Sequence, residues 1–347
     1  MALLSSSFYG DIDISSQDFL DWQYLQNPGG EVIGYVAEDS ERIVGQYLVI
    51  PINLCYKGTP MKGSLSLNTL THPEYSGQGI FTSLARLTYS KCAQKGVVMT
   101  YGFPNPNSYH GFVKKLGFTD IGSVPLLISP INIETLLRFK LGSKSAARLM
   151  GYIISPVRRL LQPRADTYGK GMVVKEVCEF GDGYGRFWQS VKDNYTLMVN
   201  RTPEYMNWRY FSIPRRNYKV FIVLDGDKVI SYIAIRITEF GGVSTGLIVD
   251  FITHRSQQGK LAGCRLVKTA MNYFRSQKAD MAGCLMLGHT LEFSVLKEMG
   301  FWVCPRRLMP QDFPVIVKVH VDVENNKKEA FYSLCGWFIT MGDYDVG

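Results

Sequence analysis

The chain has 347 residues, 46% of them hydrophobic and 20% charged, with a formal net charge of +8. That length and apolar content suit two domains or one large one and exclude wholesale disorder. No apolar run reaches the ~18–20 residues of a membrane-spanning helix. Residues 1–10 lack a secretory pattern, and the seven scattered cysteines form no Cys-x-x-Cys pair, which predicts a cytoplasmic protein with reduced thiols and no metal.

Charge is uneven along the chain. Residues 131–170 hold eight basic and two acidic side chains, hence +6 of the +8. Basicity confined to one segment argues against a nucleic-acid footprint, so no DNA partner is expected.

The chain repeats itself. Trp22, Tyr24 and Pro28 match Trp208, Tyr210 and Pro214 at an offset of 186. The offset holds at Ile43-Val44 and Val229-Ile230, becomes 182 at Thr71-His72 and Thr253-His254, and 183 at Gly117-Phe118 and Gly300-Phe301. Ordered matches at near-constant spacing indicate two copies of one unit.

In chain order, the first copy opens with a helical stretch around Trp22. A hairpin of strands at 32–37 and 43–50 turns at Asp39-Ser40, and a strand follows at 64–70. After a glycine-containing loop, a helix runs from about 79 to 95 with Ile80, Leu84 and Leu87 on one face. A short apolar strand at 97–101 leads to a helix that ends at Leu116-Gly117-Phe118, with Gly117 at its C-terminal turn. The second copy repeats the layout, with a hairpin at 220–224 and 229–237 around Asp225-Gly226-Asp227 and a strand at 246–252.

Antiparallel strands followed by a strand-loop-helix-strand unit predict an α+β fold of mixed, mostly antiparallel sheets flanked by helices. The expected division is 1–130, a basic helical linker at 131–171, and 172–347. In the linker Ala146, Leu149, Met150, Ile153, Val157 and Leu160 share a helical face opposite Arg148, Arg158 and Arg159, and Pro156 kinks it. That face packs between the halves or makes weak contact with an anionic membrane surface.

The loop after residue 70 carries the chemistry. A turn at Pro73 precedes Gly77 and Gly79, which let the backbone approach a ligand closely before the helix begins. The N–H groups of Gln78, Gly79, Ile80, Phe81 and Thr82 then point at one spot with the helix dipole behind them, a cradle for a pyrophosphate. The Gly-Lys-Ser/Thr of a nucleotide P-loop is absent, and so is the third glycine of a dinucleotide fingerprint.

The succession of strand, loop, helix and strand, followed by Asn105 and by Tyr109 through Gly117-Phe118, resembles the GNAT acetyltransferase superfamily. The whole chain, including Asn200 to Tyr210 and Trp337 to Asp345, resembles tandem-GNAT proteins of a bacterial or archaeal subfamily associated with surface-polysaccharide synthesis. The resemblance implies acetyl-CoA, or another acyl-CoA, as co-substrate, with its pantetheine laid along 64–70 and 97–101 like an added strand. It places Leu70, Thr71, His72 and Asn105 with the loop amides as cofactor-binding residues, a strand N–H near Leu70 to His72 stabilising the oxyanion. It implies an acyl-CoA-dependent N-acyltransferase in which an amine of a small molecule or amino sugar, a small-molecule or glycan acceptor, attacks the thioester directly.

Several positions depart from the family pattern. Ser76 stands where it has Arg or Gln, and Phe81 where it has a small residue. The tyrosine expected four residues before the Gly of Gly-Phe is Val113 here and Leu296 in the second copy. Tyr109 and His110, one turn earlier, are the candidate proton donors. Asp343 and Asp345 are candidate bases, since tandem relatives such as N-myristoyltransferases use a terminal carboxylate. The second copy's loop, His254 to Gly263, has lost the Gly-x-Gly core and reads as degenerate. Two other readings are a non-catalytic CoA-binding scaffold and a Fem-type peptidyltransferase using aminoacyl-tRNA; the intact Gly77 and Gly79 favour CoA over tRNA.

Overall fold

The computed structural model describes residues 16–132, 171–240 and 242–344; the basic segment lies almost wholly outside them. Helix α1 (Gln17–Tyr24) buries Phe19, Leu20, Trp22 and Tyr24. So short a helix is held by this packing rather than by its own propensity. Strands β1 (Ile33–Asp39), β2 (Arg42–Tyr56) and β3 (Thr59–Thr71) follow as antiparallel neighbours. The first turn holds Ser40 and Glu41 at φ of 49° and 68°, the left-handed pair that suits a tight hairpin.

Helix α2 (Ile80–Gln94) then crosses to β4 (Met99–Gly102), which runs parallel to β3. The buried face of α2 is Leu84, Ala85, Thr88, Tyr89 and Cys92. Leu87, expected on that face, is 52% exposed, because the i, i+4 row through 84, 88 and 92 faces the sheet and position 87 turns to its flank. Helix α3 (Pro106–His110) runs into a π-helical turn (Gly111–Lys115), then come β5 (Thr119–Ser123) and β6 (Leu126–Pro130).

The second half comprises β7 (Met172–Val177), α4 (Asp182–Val191), β8 (Leu197–Val199), α5 (Pro203–Tyr210), β9 (Lys219–Asp225), β10 (Lys228–Phe240) and β11 (Val243–Thr253). It continues with α6 (Gln257–Ser276), β12 (Met281–Leu285), α7 (Leu291–Glu298), β13 (Trp302–Val303), β14 (Pro314–Val319), α8 (Asn325–Phe331), β15 (Trp337–Phe338) and a 3-10 turn (Met341–Asp343).

Two mixed sheets result. One has the order β15-β8-β2-β3-β4-β14-β5 with β1 on β2, the other β13-β6-β12-β11-β10-β9-β7. Most pairs are antiparallel, as expected; β3–β4, β11–β12 and β8–β15 are parallel. Strands cross between the halves: the first sheet takes β8 and β15 on the edge of β2, and β14 internally, from the second half, and the second sheet takes β6 from the first. β14 lies between β4 and β5, with Val317 opposite both Tyr101 and Thr119. Reciprocally, β6 lies between β12 and β13, with Ile128 opposite Gly283 and Trp302. A boundary at residue 130 assigns β6 to the first half by sequence, while its hydrogen bonds are to the second.

The repeat tryptophans meet at a local two-fold axis. The Trp22 indole N–H donates to the Trp208 carbonyl (2.8 Å) and the Trp208 indole N–H to the Trp22 carbonyl (3.0 Å). Their rings stack at 4.6 Å. One core cluster spans the two sheets, and a smaller one under α2, with Tyr47, Phe112 and Phe118, covers the outer face of the first sheet.

Candidate active site: an open cleft and a filled one

β3 and β4 stay paired from Gly63–Met99 to Ser66–Gly102, and then β3 runs on alone. It diverges at a bulge opposite Tyr47, where the β2–β3 register shifts and Asn68 takes a left-handed φ of 48°. The bulge is pinned from both sides. The Asn68 side-chain amide donates to Gln23 (2.8 Å) and the Tyr24 hydroxyl (2.7 Å), while its carbonyl accepts from the Gln46 side chain (2.9 Å). The divergence leaves a cleft of about 210 Å³ lined by Ser66 to Thr69, Gly102 to Asn105, Ser108, Phe112, Ile316 and Tyr344. The Thr69 hydroxyl is buried there without a hydrogen-bond partner.

At the open side of the first copy α2 begins at Gly79, left-handed at φ 81° like Gly77, a conformation that glycine alone adopts freely. The first amide bonded within the helix is that of Ser83, to the Gly79 carbonyl (3.0 Å), and no side chain caps the turn. The N–H groups of Ile80, Phe81 and Thr82 therefore precede the helical ladder. The Phe81 ring turns inward, edge-on to Phe112 at 5.5 Å and against Gly111. Only its amide is left for a ligand.

The other expected residues take distinct places. Leu70 is buried and Thr71 half-buried at the end of β3. His72 caps the turn Pro73–Tyr75 by accepting from the Glu74 amide (3.4 Å), and its Nε2 meets the Arg42 guanidinium at 2.7 Å. Asn105 lines the cleft and caps α3, accepting from the amides of Asn107 and Ser108 (both 3.0 Å). Tyr109 donates its hydroxyl to Asp120 (2.5 Å), a bond that raises the phenol's pKa. Neither Tyr109 nor the exposed His110 lines the cleft; on this helix it is Ser108 and Phe112 that do. Val113 packs against the outer core.

The equivalent cleft of the second copy is occupied by the chain itself. β11 and β12 pair from Thr245–Met281 to Ile248–Cys284; beyond that, Met286 bridges to Thr340. Buried Arg201 anchors the inserted segment, donating to Asp250 (3.0 Å), Thr340 (3.2 Å) and Asp343 (2.6 Å). Burial raises the Asp343 carboxyl's pKa against the opposing pull of Arg201. Gly342 sits where any side chain would collide, since a Cβ there would stand 2.2 Å from the Tyr210 hydroxyl. Asp345 lies outside the described residues. The α6 turn differs too: the Ser256 side chain caps it by accepting from the Gly259 amide (3.0 Å), and an open depression lined by Arg255, Gln257 and Lys260 lies beside it.

Sequence reasoning missed Thr69, Ser108 and Tyr344 in the cleft and Arg201 behind Asp343. The repeat held one usable signal: at the offset of 182, Asp250 occupies the position of Asn68. Each bonds the tyrosine of its own Trp-x-Tyr helix, Tyr24 or Tyr210.

Family models match both halves. Residues 9–120 match the acetyltransferase (GNAT) domain and residues 186–300 the acetyltransferase (GNAT) family. No curated protein matches the chain. Among solved structures, a GCN5-related N-acetyltransferase from Anabaena variabilis superposes with a TM-score of 0.64 at 13% identity, covering 92% of this chain and 69% of that one. Saccharomyces cerevisiae N-myristoyltransferase with bound myristoyl-CoA gives 0.59 at 12% identity, over 89% and 75%. A tandem GNAT protein from the clavulanic acid biosynthesis pathway gives 0.54 at 11% identity, over 93% and 94%. Among the described residues no helix is long and apolar enough to cross a membrane.

Proposed function

The chain belongs to the GNAT acyltransferases, two domains in tandem, and on that premise we propose that only its first copy binds acyl-CoA. It is an acyl-CoA N-acyltransferase, and in this reading the acyl group is acetyl. The observation that carries the assignment is the contrast between the clefts: β3 leaves β4 to open one, while residues 339–343 fill the other. The residues fit the co-substrate. Uncapped amides at Ile80 to Thr82 suit the pyrophosphate, and the edge of β3 beyond Ser66 suits the pantetheine amides. The myristoyl-CoA held by the yeast neighbour supports an acyl-CoA in this fold.

The co-substrate supplies an activated thioester, and this chain orients it. The unpaired edge of β3 near Leu70 and the Thr69 hydroxyl supply donors for charge that develops on the carbonyl oxygen. The acceptor amine, on a small molecule or an amino sugar as in the polysaccharide-associated subfamily, enters from the second copy's side. With Asp343 held by Arg201, Asp345 is the base in this reading, because Tyr344 before it lines the cleft. A thiol of pKa about 8.5 leaves tolerably as thiolate near neutral pH, so turnover does not need the family's tyrosine.

Calorimetric titration with acetyl-CoA is expected to saturate at one per chain. Gly79→Asp, which sets a carboxylate against the phosphates, is expected to weaken binding by more than 100-fold. Two equivalent sites, or an unchanged affinity in a folded Gly79→Asp protein, would overturn the assignment.

A further inference from the structure

Beside the C-terminal segment the second copy buries more positive charge than it balances. Arg209 on α5 is 5% exposed, Arg236 on β10 7%, and Tyr218 between them 8%. The Arg209 Nε donates to the Gly342 carbonyl (3.1 Å), but its Nη1 is buried with no partner. Among the described residues the Nε of Arg236 is likewise buried and unpartnered, and the buried Tyr218 hydroxyl has only the Arg209 guanidinium beside it. Both guanidinium groups converge on one ring, 6.0 Å and 5.8 Å from the Tyr218 centroid.

Among the described residues no carboxylate pairs with Arg236. Burial lowers its pKa most, the Tyr218 phenol opposes that, and the charges of Arg216 and Arg209 lower it further. The nearby carboxylates, Asp250 and Asp343, are engaged by Arg201 at 3.0 Å and 2.6 Å. One guanidinium against two carboxylates leaves a surplus negative charge beside Arg209, but nothing for Arg236. Buried cations are stable when paired and costly when alone.

The fold itself does not require these groups. At the offset of 186 the first copy has Gln23, Val32 and Ile50 where the second has Arg209, Tyr218 and Arg236. Both copies build the same hairpin and helix there. One member of the cluster, Arg209, borders the candidate site. Arg209 lines a small cavity of about 30 Å³ with Leu67 and Tyr344, and both of those line the open cleft as well.

We propose that Arg209, Arg236 and Tyr218 form a subsite for an oxyanion, the carboxylate or phosphate of the acceptor. Two guanidinium forks and a phenol supply the donors, and the anion supplies the missing negative charge. Naming the anion as the acceptor's rests on the acyltransferase reading; the anion site itself does not.

Thermal unfolding of the full chain tests it, in chloride and then with inorganic phosphate or succinate at constant ionic strength. In chloride, Arg236→Met is expected to melt above the unchanged protein, because it removes an unbalanced buried charge. It is also expected to lose at least ten-fold in apparent affinity for one of the two anions. Any phosphate taken by the start of α2 is common to both proteins and cancels. Preference for phosphate indicates a phosphorylated acceptor, and preference for succinate a carboxylated one. Tyr218→Phe keeps the fold's bulk and is expected to weaken the same anion three- to ten-fold. Equal anion responses in all three proteins, or an Arg236→Met protein less stable in chloride, would overturn the subsite. Acetyl-CoA titration of the same variants is expected to be unchanged, and a loss in Arg236→Met would move the cluster to the co-substrate side. Failure of the unchanged protein to bind acetyl-CoA would remove the acyltransferase reading and leave the anion result standing.

Discussion

The two copies share a strand, a bulge, a helix and a second strand, and they differ in what enters the gap. In the first, Asn68 is neutral and bonds Gln23 and Tyr24, and the space beyond stays open. In the second, Asp250 stands at that position and draws in Arg201, which in turn holds Thr340 and Asp343 in the gap. The change from amide to carboxylate accompanies the difference between an open strand end and one filled by the chain itself, with Arg201, Thr340 and Asp343 completing the filled one. Two GNAT scaffolds need not mean two acyl-CoA sites.

The largest expected effect comes from removing the anchor. Arg201→Met leaves two carboxylates buried without their cation, and a stability loss of about 3–5 kcal/mol is expected in urea unfolding. A loss below about 1 kcal/mol would mean that the second cleft is filled without this ion pair. Gly342→Ala attacks the same segment by volume and is expected to cost about 2–3 kcal/mol, because its methyl group meets the Tyr210 hydroxyl. In a Tyr210→Phe background that penalty should shrink, since the atom it strikes is gone.

Acid probes the first sheet instead. Burial, with Lys318 nearby, holds His320 down to about 4, against an ordinary value of 6.5. It sits beside β14 and bonds the Thr100 hydroxyl on β4 at 2.6 Å. The unfolded chain takes up this proton first, so the contribution is present above pH 6.5 and lost as pH falls toward 4. About 3 kcal/mol is expected to disappear over that window, and His320→Gln should flatten the slope. The smallest effect is expected from Tyr109→Phe. With its hydroxyl on Asp120 and off the cleft, kcat should change less than about twofold. A fall beyond tenfold would return Tyr109 to the chemistry as proton donor.

Much of this comparison was legible in the residues. The offset of 186 marks Trp22 and Trp208, which exchange hydrogen bonds across the local two-fold. The helix expected from about 79 to 95 is Ile80–Gln94, and the left-handed glycines fall where the loop needed them. What stayed hidden was partnership. The strands at 126–130 and 314–319 went unread, and even an apolar run that spells a strand carries no record of which sheet it joins. The direction of Tyr109 was hidden for a related reason, because one position on a helix turns a side chain through about 100°. The filling of the second cleft depends on Arg201, Asp250 and Asp343 meeting across long stretches of sequence, which no local pattern encodes.

The reciprocal loan of β6 and β14 makes the halves a pair of mutual debtors in folding. Neither sheet can close until both halves are present, so one cooperative transition rather than two is expected on unfolding. Separated, one half would bare the facing edges of β4 and β5 and the other those of β12 and β13, templates for indiscriminate pairing. Cleavage of the backbone between residues 133 and 170 should leave the pieces clasped like a swapped dimer. Two separately expressed pieces would each carry the strand the other lacks, so this single chain behaves as a heterodimer whose subunits happen to share a peptide bond.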